Sequence, residues 1–292
     1  MKTDPESFIR ANTGILSPPH VPEVRLYLAS EAHDLWLKTE EELEAIGLPP
    51  PFWAFAWAGG QGLARYVLDH PETVRGRRVV DFASGSGLVA IAAMLAGAAE
   101  VLAVDIDPWA ETAVRLNAEL NDVPVGFLGE DIIGRERAAD VYLAGDVFYD
   151  KGFADLLQPW FDALARADAS VLVGDPGRAY CPRQRLTALA TYEVPVTRAL
   201  EDSEVKRTTV WRFGAGDGGW IDRASIRGAL GSLKRRSRSR HTVPRILRFR
   251  MECPPARVIG REKPRSGMTS RLVWCMCRPG SGCCPSTTNK EW

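Results

Sequence analysis

Short apolar runs alternate with amphipathic stretches through the middle of the chain, between residues 77 and 213. The runs are rich in β-branched residues, and the stretches between them place apolar residues at helical spacing. This order predicts an α/β fold in which helices cover both faces of a mostly parallel sheet. The predicted strands are 78–83, 100–106, 125–130, 140–147 and 170–175, and the predicted helices between them are 87–95, 108–120 and 152–166.

The last part of this region predicts a different arrangement. A further helix is predicted near residues 183–190, followed by the β-rich runs TYEVPV at 191–196 and RTTVWRF at 207–213. These two runs are close enough along the chain to pair antiparallel at the end of the sheet.

Two helices are also predicted before the sheet, at residues 31–47 and 59–70, and the aromatic stretch PPPFWAFAW separates them. Its residues Trp53, Phe55 and Trp57 allow two interpretations. They could form a hydrophobic plug beneath the first helix, or they could wall a ligand site, since aromatic faces attract cations.

The balance of charge changes after Phe213. Up to that residue the chain has 20 Lys and Arg against 32 Asp and Glu, and beyond it 17 against 5. Five of the six cysteines also lie beyond it. This asymmetry predicts a folded acidic domain over residues 1–213 and a disordered basic tail over residues 214–292. A shifted reading frame would produce the same abrupt change.

Several classes of partner are disfavoured. The run KRRSRSR could bind nucleic acid electrostatically, but a solvated tail is the favoured interpretation. The tail cysteines lack paired C-x-x-C spacing and a nearby histidine, which argues against a zinc site. No apolar run is long enough for a membrane span, and the start MKTDPESFIR lacks a targeting pattern. We therefore expect a cytoplasmic protein.

The stretch VVDFASGSGLVA, residues 79–90, contains the clearest candidate for chemistry. A strand that feeds a glycine pair and then a helix presents backbone N–H groups to a nucleotide-like ligand. Gly85 and Gly87 alone fit a dinucleotide site, an S-adenosylmethionine site or a plain turn. Asp105 lies 18 residues after Gly87, near the spacing of an acid that binds ribose hydroxyls. Asp81 would repel a pyrophosphate and suit a cationic ligand, which favours methyl transfer.

The motif DFASGSG, with the acids of LAVDID, GED and AGDVFYD, resembles the seven-strand class I methyltransferases. Within that class the sequence DVFY at 146–149 resembles the acid-x-x-aromatic motif of the protein-lysine branch. The stretches NTGILSPPHVPEVRLYLASEA and PPPFWAFAWAGGQGLARYVLDHP are similar to the electron transfer flavoprotein beta subunit lysine methyltransferases of bacteria and mitochondria. The resemblance covers roughly residues 8–213. One departure is Ala83, where many relatives have a glycine.

This resemblance implies a Rossmann-like seven-strand sheet that binds S-adenosylmethionine and needs no metal. Its implied cofactor residues are Asp81 with the backbone of Gly85 and Gly87 for the methionine moiety, Asp105 for the ribose, Asp131 for the adenine amino group, and Trp57 as a lining side chain. For Asp131, a helix cap or turn role is an equal alternative.

At the end of the fourth strand, the resemblance implies that Asp146 and Tyr149 receive the target lysine, with the rings of Trp53 and Tyr149 holding the methylated product by cation–π attraction. The implied acceptor is the beta subunit of electron transfer flavoprotein, and the implied compartment in eukaryotic relatives is the mitochondrial matrix. Three alternatives stay open: methylation of a small, nicotinamide-like amine, an NAD-dependent oxidoreductase, and a non-catalytic module whose tail binds nucleic acid.

Overall fold

A seven-stranded sheet organises the protein. The computed structural model describes residues 4–30, 50–136, 138–196 and 203–214. In chain order the strands are β1 (Gly14–Leu16), β2 (Leu26–Leu28), β3 (Arg78–Phe82), β4 (Glu100–Val104), β5 (Gly126–Leu128), β6 (Val141–Gly145), β7 (Ser170–Asp175), β8 (Leu186–Pro195) and β9 (Val205–Phe213). The α-helices are α1 (Pro5–Asn12), α2 (Ala58–Asp69), α3 (Leu88–Leu95), α4 (Pro108–Leu120) and α5 (Lys151–Arg166).

The strand order in the large sheet is β5-β4-β3-β6-β7-β9-β8. The first five strands of this order are parallel, and β9 pairs antiparallel with both β7 and β8. The predicted α/β class, the five parallel strands and the antiparallel pair at the sheet end are therefore confirmed. The predicted helix over 31–47 and the predicted tail lie outside the described residues, so the domain boundary after Phe213 stays a prediction.

One predicted element is wrong. Residues 183–190 do not form a helix, because a single 3₁₀ turn at Arg183–Arg185 leads directly into β8. Strand β8 pairs with β9 from Leu186 opposite Phe213 to Pro195 opposite Val205, with a register shift between Ala188 and Ala190. The helix propensity of this segment is overridden because the edge of β9 supplies hydrogen-bond partners for its backbone.

The strands are nearly continuous apolar runs because both faces of the sheet are buried. Along β3, Val79 packs into the core beneath α2 and α3, whereas Val80 packs into the core beneath α5. Helix α2 confirms the helix predicted over 59–70, with bounds one residue earlier. Among the described residues, no helix has the length and apolar character needed to cross a membrane.

The N-terminal segment lies across α4. Helix α1 was not predicted from the sequence. It is capped by Asp4, whose carboxylate accepts a hydrogen bond from the Ser7 N–H at 2.9 Å. The antiparallel pair of β1 and β2 is tied to α4 by the buried Asn117, whose Oδ1 accepts from the Tyr27 N–H at 2.7 Å. The Asn117 Nδ2 donates to the Ser86 carbonyl at 2.8 Å, so the segment is also joined to the loop after β3.

Helix α2 approaches the sheet so closely that only glycines fit at the contact. A Cβ at Gly174 in β7 would lie 2.0 Å from the Gly59 carbonyl oxygen, and one at Gly145 in β6 would lie 2.7 Å from the Gly60 Cα. The same contact places the N-terminus of α2 at the carboxyl ends of β6 and β7.

We predict that Gly174→Ala lowers the free energy of unfolding by about 1–3 kcal/mol or more, because the added methyl group must push the α2 backbone off the sheet. Urea denaturation measures the change. Gly126→Ala in β5 is the matched control: its Cβ would lie 3.4 Å from Leu102 Cδ1, an ordinary contact, and we expect a change below about 1 kcal/mol. Equal denaturation midpoints for the wild type and Gly174→Ala would contradict the close approach.

Candidate active site

The loop between β3 and α3 takes a left-handed backbone conformation at three positions. The φ angles are +53° at Ala83, +50° at Gly85 and +78° at Gly87. Gly87 is also the residue that directly precedes α3, and a Cβ there would lie 3.1 Å from Val114 Cγ2 on α4. Glycine is required at Gly87 for both conformation and space, while Ala83 shows that the departure from the family pattern is accommodated as local strain.

Asp81 is buried beneath this loop. Its side chain accepts a hydrogen bond from the Ala90 N–H at 2.9 Å, within the first turn of α3. Burial raises the pKa of the Asp81 carboxyl to about 8, so the neutral form is favoured at pH 7. A largely neutral Asp81 would repel a dinucleotide pyrophosphate less than the sequence predicts. The contact of Asp81 with the methionine moiety stays a prediction.

Asp105 follows β4 and borders the glycine loop from the other side. Its Oδ2 accepts from the Gly85 N–H at 2.8 Å, and its Oδ1 accepts from the Asp107 N–H at 3.0 Å. Burial raises the pKa of Asp105 despite these hydrogen bonds. Asp107, a residue that sequence reasoning missed, caps α4, and burial raises its pKa to about 6.

The aromatic stretch divides into two parts. Trp53 and Phe55 are buried, and Trp53 stacks on Trp109 of α4 with ring centres 6.4 Å apart. Burial of these two side chains agrees with the plug interpretation, while the helix predicted above them lies outside the described residues. The predicted contact of Trp53 with a methylated lysine is wrong because the side chain has no exposed surface. Phe52 and Trp57, in contrast, face outward with ring centres 5.9 Å apart.

Phe52, Trp57 and Tyr149 form what we call the aromatic mouth. The Trp57 Nε1 donates to the Phe52 carbonyl at 3.0 Å, and the Tyr149 ring lies 6.2 Å from the Phe52 ring. A Cβ at Gly85 would lie 3.6 Å from the Phe52 carbonyl oxygen, so this mouth borders the glycine loop. Partial burial, with smaller effects of Asp150, Asp105 and Asp146, raises the pKa of the Tyr149 hydroxyl.

Asp146 directly follows β6 and takes the left-handed conformation, with φ +62°. Its Oδ1 accepts from Arg178 Nε at 2.6 Å, and its Oδ2 accepts from Arg178 Nη2 at 3.0 Å and from the Gly59 N–H at 3.3 Å. Both side chains of this Asp146–Arg178 pair are at most 10% exposed. The carboxylate predicted to receive a lysine is thus already engaged by an arginine.

Sequence reasoning missed the loop that supplies Arg178. Asp175 ends β7 and accepts from the Gly177 N–H at 2.9 Å and from the Arg178 N–H at 3.2 Å. Burial raises the pKa of Asp175 to about 6. The sequence GDPGR after an apolar strand contained the signal, because an acid at a strand end followed by Pro-Gly is typical of a turn that orients the next residue.

Asp131 stands apart from these groups. It is exposed, and its Oδ1 accepts from the Ile133 N–H at 2.9 Å, which is the turn role weighed from the sequence. Its contact with an adenine amino group stays a prediction. Within the described parts of the chain, no group of three or more His, Cys, Asp and Glu side chains is placed to hold a metal ion.

Comparison with known proteins supplies the family. The chain is 43% identical over 218 residues to the electron transfer flavoprotein beta subunit lysine methyltransferase of Xenopus laevis. The aligned region covers 72% of this chain and 87% of that protein. The chain belongs to the electron transfer flavoprotein beta subunit lysine methyltransferase family. The human member is 37% identical over 220 residues, covering 72% of this chain and 83% of that protein.

More distant similarities lie around the sheet. Residues 66–145 match the family described as ribosomal protein L11 methyltransferase (PrmA). The crystal structure of ribosomal protein L11 methylase from Lactobacillus delbrueckii is 20% identical, with a TM-score of 0.39, and covers 53% of this chain and 79% of that protein. Family membership confirms the predicted methyltransferase class and S-adenosylmethionine as the cofactor.

The residues at this sheet edge fit that cofactor. The Asp105 carboxylate lies beside the glycine loop, where ribose hydroxyls could donate to it. The Ser84 Oγ in the same loop is buried and has no hydrogen-bond partner among the described residues, so it is available to a polar ligand group. Next to Asp105, Ile106 is 73% exposed and offers an apolar surface to the flat adenine.

We predict that Asp81→Asn gains stability relative to the wild type as pH rises from 5 to 8, in the absence of cofactor. The ordinary pKa of 3.8 is raised to about 8 in the folded state, so over most of this window the unfolded chain has released a proton that the folded chain keeps. Wild-type stability therefore falls with pH by up to about 1.4 kcal/mol per unit through this group, and the asparagine removes that loss. Urea denaturation at pH 5, 6.5 and 8 measures it, and a stability difference that stays constant with pH would contradict the assignment.

Proposed function

We propose that this chain methylates lysine side chains of the electron transfer flavoprotein beta subunit, with S-adenosylmethionine as the methyl donor. The observation that carries the proposal is the 43% identity to the Xenopus laevis family member over 87% of its length. Five members with this name, from frog, fish, rat, human and mouse, are 36–43% identical to the chain over at least 216 residues.

The site supports transfer to an amine. When bound, the cofactor supplies a methyl group that forms a bond to the acceptor nitrogen as its bond to sulfur breaks, with the electron pair staying on sulfur. The acceptor nitrogen must first lose a proton to solvent, which at pH 7 costs a lysine about 4–5 kcal/mol. The half-buried rings of the aromatic mouth favour the neutral amine by desolvation.

The same rings fit the products of repeated methylation. Each added methyl group removes an N–H donor, but the faces of Tyr149 and Trp57 still attract the cationic product. The carboxylate of Asp146, held by Arg178 and the Gly59 N–H, is close enough to Tyr149 to influence its hydroxyl electrostatically and can orient the incoming nitrogen. Binding and alignment by these groups are the protein's part of the catalysis.

The charge of the folded region supports a protein acceptor. Up to Phe213 the acids outnumber the bases by 32 to 20, so a basic, lysine-bearing surface would be attracted over a longer range than a small amine requires. A cytoplasmic location and the absence of a nucleic-acid partner stay predictions.

The test uses purified enzyme, labelled S-adenosylmethionine and the recombinant electron transfer flavoprotein beta subunit, with peptide mapping of the label by mass. We expect label on lysine only, and a fall in rate of at least about 30-fold for Asp146→Asn, because orientation of the nitrogen is lost. Asp155→Asn, an exposed substitution on α5, is the matched control and should keep the wild-type rate.

Two outcomes would contradict the proposal. Label that enters nicotinamide or another small amine, and not the flavoprotein, would show that the acceptor is wrong. Lysine label that forms at the wild-type rate in Asp146→Asn would show that the site is wrong.

A further inference from the structure

The carboxylate at the acceptor site is held by an arginine in a two-pronged contact. Both oxygens of Asp146 accept from Arg178, at 2.6 and 3.0 Å, and the α2 N-terminus adds a third donor through Gly59. Planar arginine–carboxylate pairs of this kind fix direction as well as charge. A lysine that approaches Asp146 therefore meets a carboxylate whose position is set and whose charge is balanced.

The loop after β7 is built to present this arginine. Asp175 accepts from the N–H groups of both Gly177 and Arg178, and Gly177 takes a left-handed φ of +100°. The Arg183 side chain donates to the Arg178 carbonyl at 3.0 Å. Three hydrogen bonds thus fix the turn that places the Arg178 guanidinium. A buried ion pair is by itself a poor source of stability, so stability alone does not explain this arrangement.

The chemistry of the acceptor explains why the balance of charge matters. An isolated carboxylate beside a lysine favours the ammonium form, which has no lone pair with which to attack. A guanidinium on the same carboxylate cancels most of this effect while it leaves the carboxylate in place as an orienting acceptor. The pair can therefore align an amine without keeping it protonated.

We propose that Arg178 is a positioning residue for lysine methylation: it fixes the Asp146 carboxylate and offsets its charge, so that the acceptor lysine releases its proton to solvent at a lower pH. The inference rests on the proposed function. It assigns the loop after β7 to the acceptor side of the active site.

Other charged groups surround this pair, and the experiment must hold them constant. Asp175, Arg183 and Cys181 lie on the β7 side, Tyr149 and Asp150 follow β6, and Asp105 ends β4. The N-terminal turn of α2, residues 58–62, contributes backbone but no titratable side chain. Variants at Arg178 and Asp146 leave all of these groups unchanged.

The test is the pH profile of the single-turnover rate, from pH 6.5 to 10, with the electron transfer flavoprotein beta subunit as acceptor and saturating S-adenosylmethionine. For Arg178→Gln, we expect the rising limb to move to higher pH by about one to two units, because the Asp146 charge is no longer balanced. Arg178→Lys keeps the charge but loses the two-pronged contact, so its limb should stay within about half a unit of the wild type while its maximum rate falls.

If Arg178→Gln fails to fold, the pH profile of Asp146→Asn provides a second test. It removes the negative charge of Asp146 and keeps Arg178, so the residual rate should rise at lower pH than in the wild type, and the double variant Asp146→Asn/Arg178→Gln should return the limb toward its wild-type position. Opposite shifts of the two single variants support the inference. Circular dichroism and calorimetry with S-adenosylmethionine establish that each variant folds and binds cofactor.

Rates that fall equally at every pH in Arg178→Gln, with no shift in Asp146→Asn, would overturn the inference and leave Arg178 a structural residue. If the wild-type enzyme methylates lysine and only the profile is unshifted, the proposed function stands. If the wild-type enzyme does not methylate the flavoprotein, the proposed function and this inference both fail.

Discussion

Backbone contact between α2 and the strands β6 and β7 fixes the position of the Asp146 carboxylate. Gly59 and Gly174 meet with no room for a side chain. That approach brings the Gly59 N–H within 3.3 Å of the Asp146 carboxylate, while the Asp146 N–H donates to the Gly174 carbonyl at 2.8 Å. The close packing of α2 on the sheet therefore also constrains the candidate site. A looser contact between Gly59 and Gly174 would free the Asp146 carboxylate to move.

The carboxyl edge of the sheet concentrates acids, since four parallel strands each end at or next to one. The structure accommodates these four acids in three ways. Burial raises the pKa of Asp81 to about 8, which favours its neutral form at pH 7, whereas Asp146 is paired with Arg178. Asp105 and Asp175 each accept two backbone N–H groups from their own loops. These contacts preorganise the sheet edge, and repulsion remains between Asp105 and Asp81 and between Asp146 and Asp175.

Sequence patterns predicted the parts of the fold that depend on local order. The five parallel strands were visible because strands buried on both faces are continuous apolar runs. Strand β8 was not visible, since its ladder depends on the distant edge of β9. Helix α1 was missed although Asp4 and Pro5 form an ordinary helix start.

The candidate site divides in the same way. Asp105 was predictable because the end of one strand and the glycine loop after another are a fixed distance apart in this fold. The Asp146–Arg178 pair was not, because the two residues are 32 positions apart and meet only when β6 and β7 lie side by side. The sequence could not show that Trp53 is buried against Trp109 while Trp57 faces outward, because both residues belong to one aromatic stretch.

A crystal structure of the enzyme with S-adenosylhomocysteine, the product form of the cofactor, would test the arrangement of the site most directly. The account predicts the ribose hydroxyls on Asp105 and the sulfur directed toward the aromatic mouth of Phe52, Trp57 and Tyr149, with the Asp146–Arg178 pair intact below it. Product bound away from the carboxyl edge of the sheet, or Arg178 turned away from Asp146 in the complex, would contradict it.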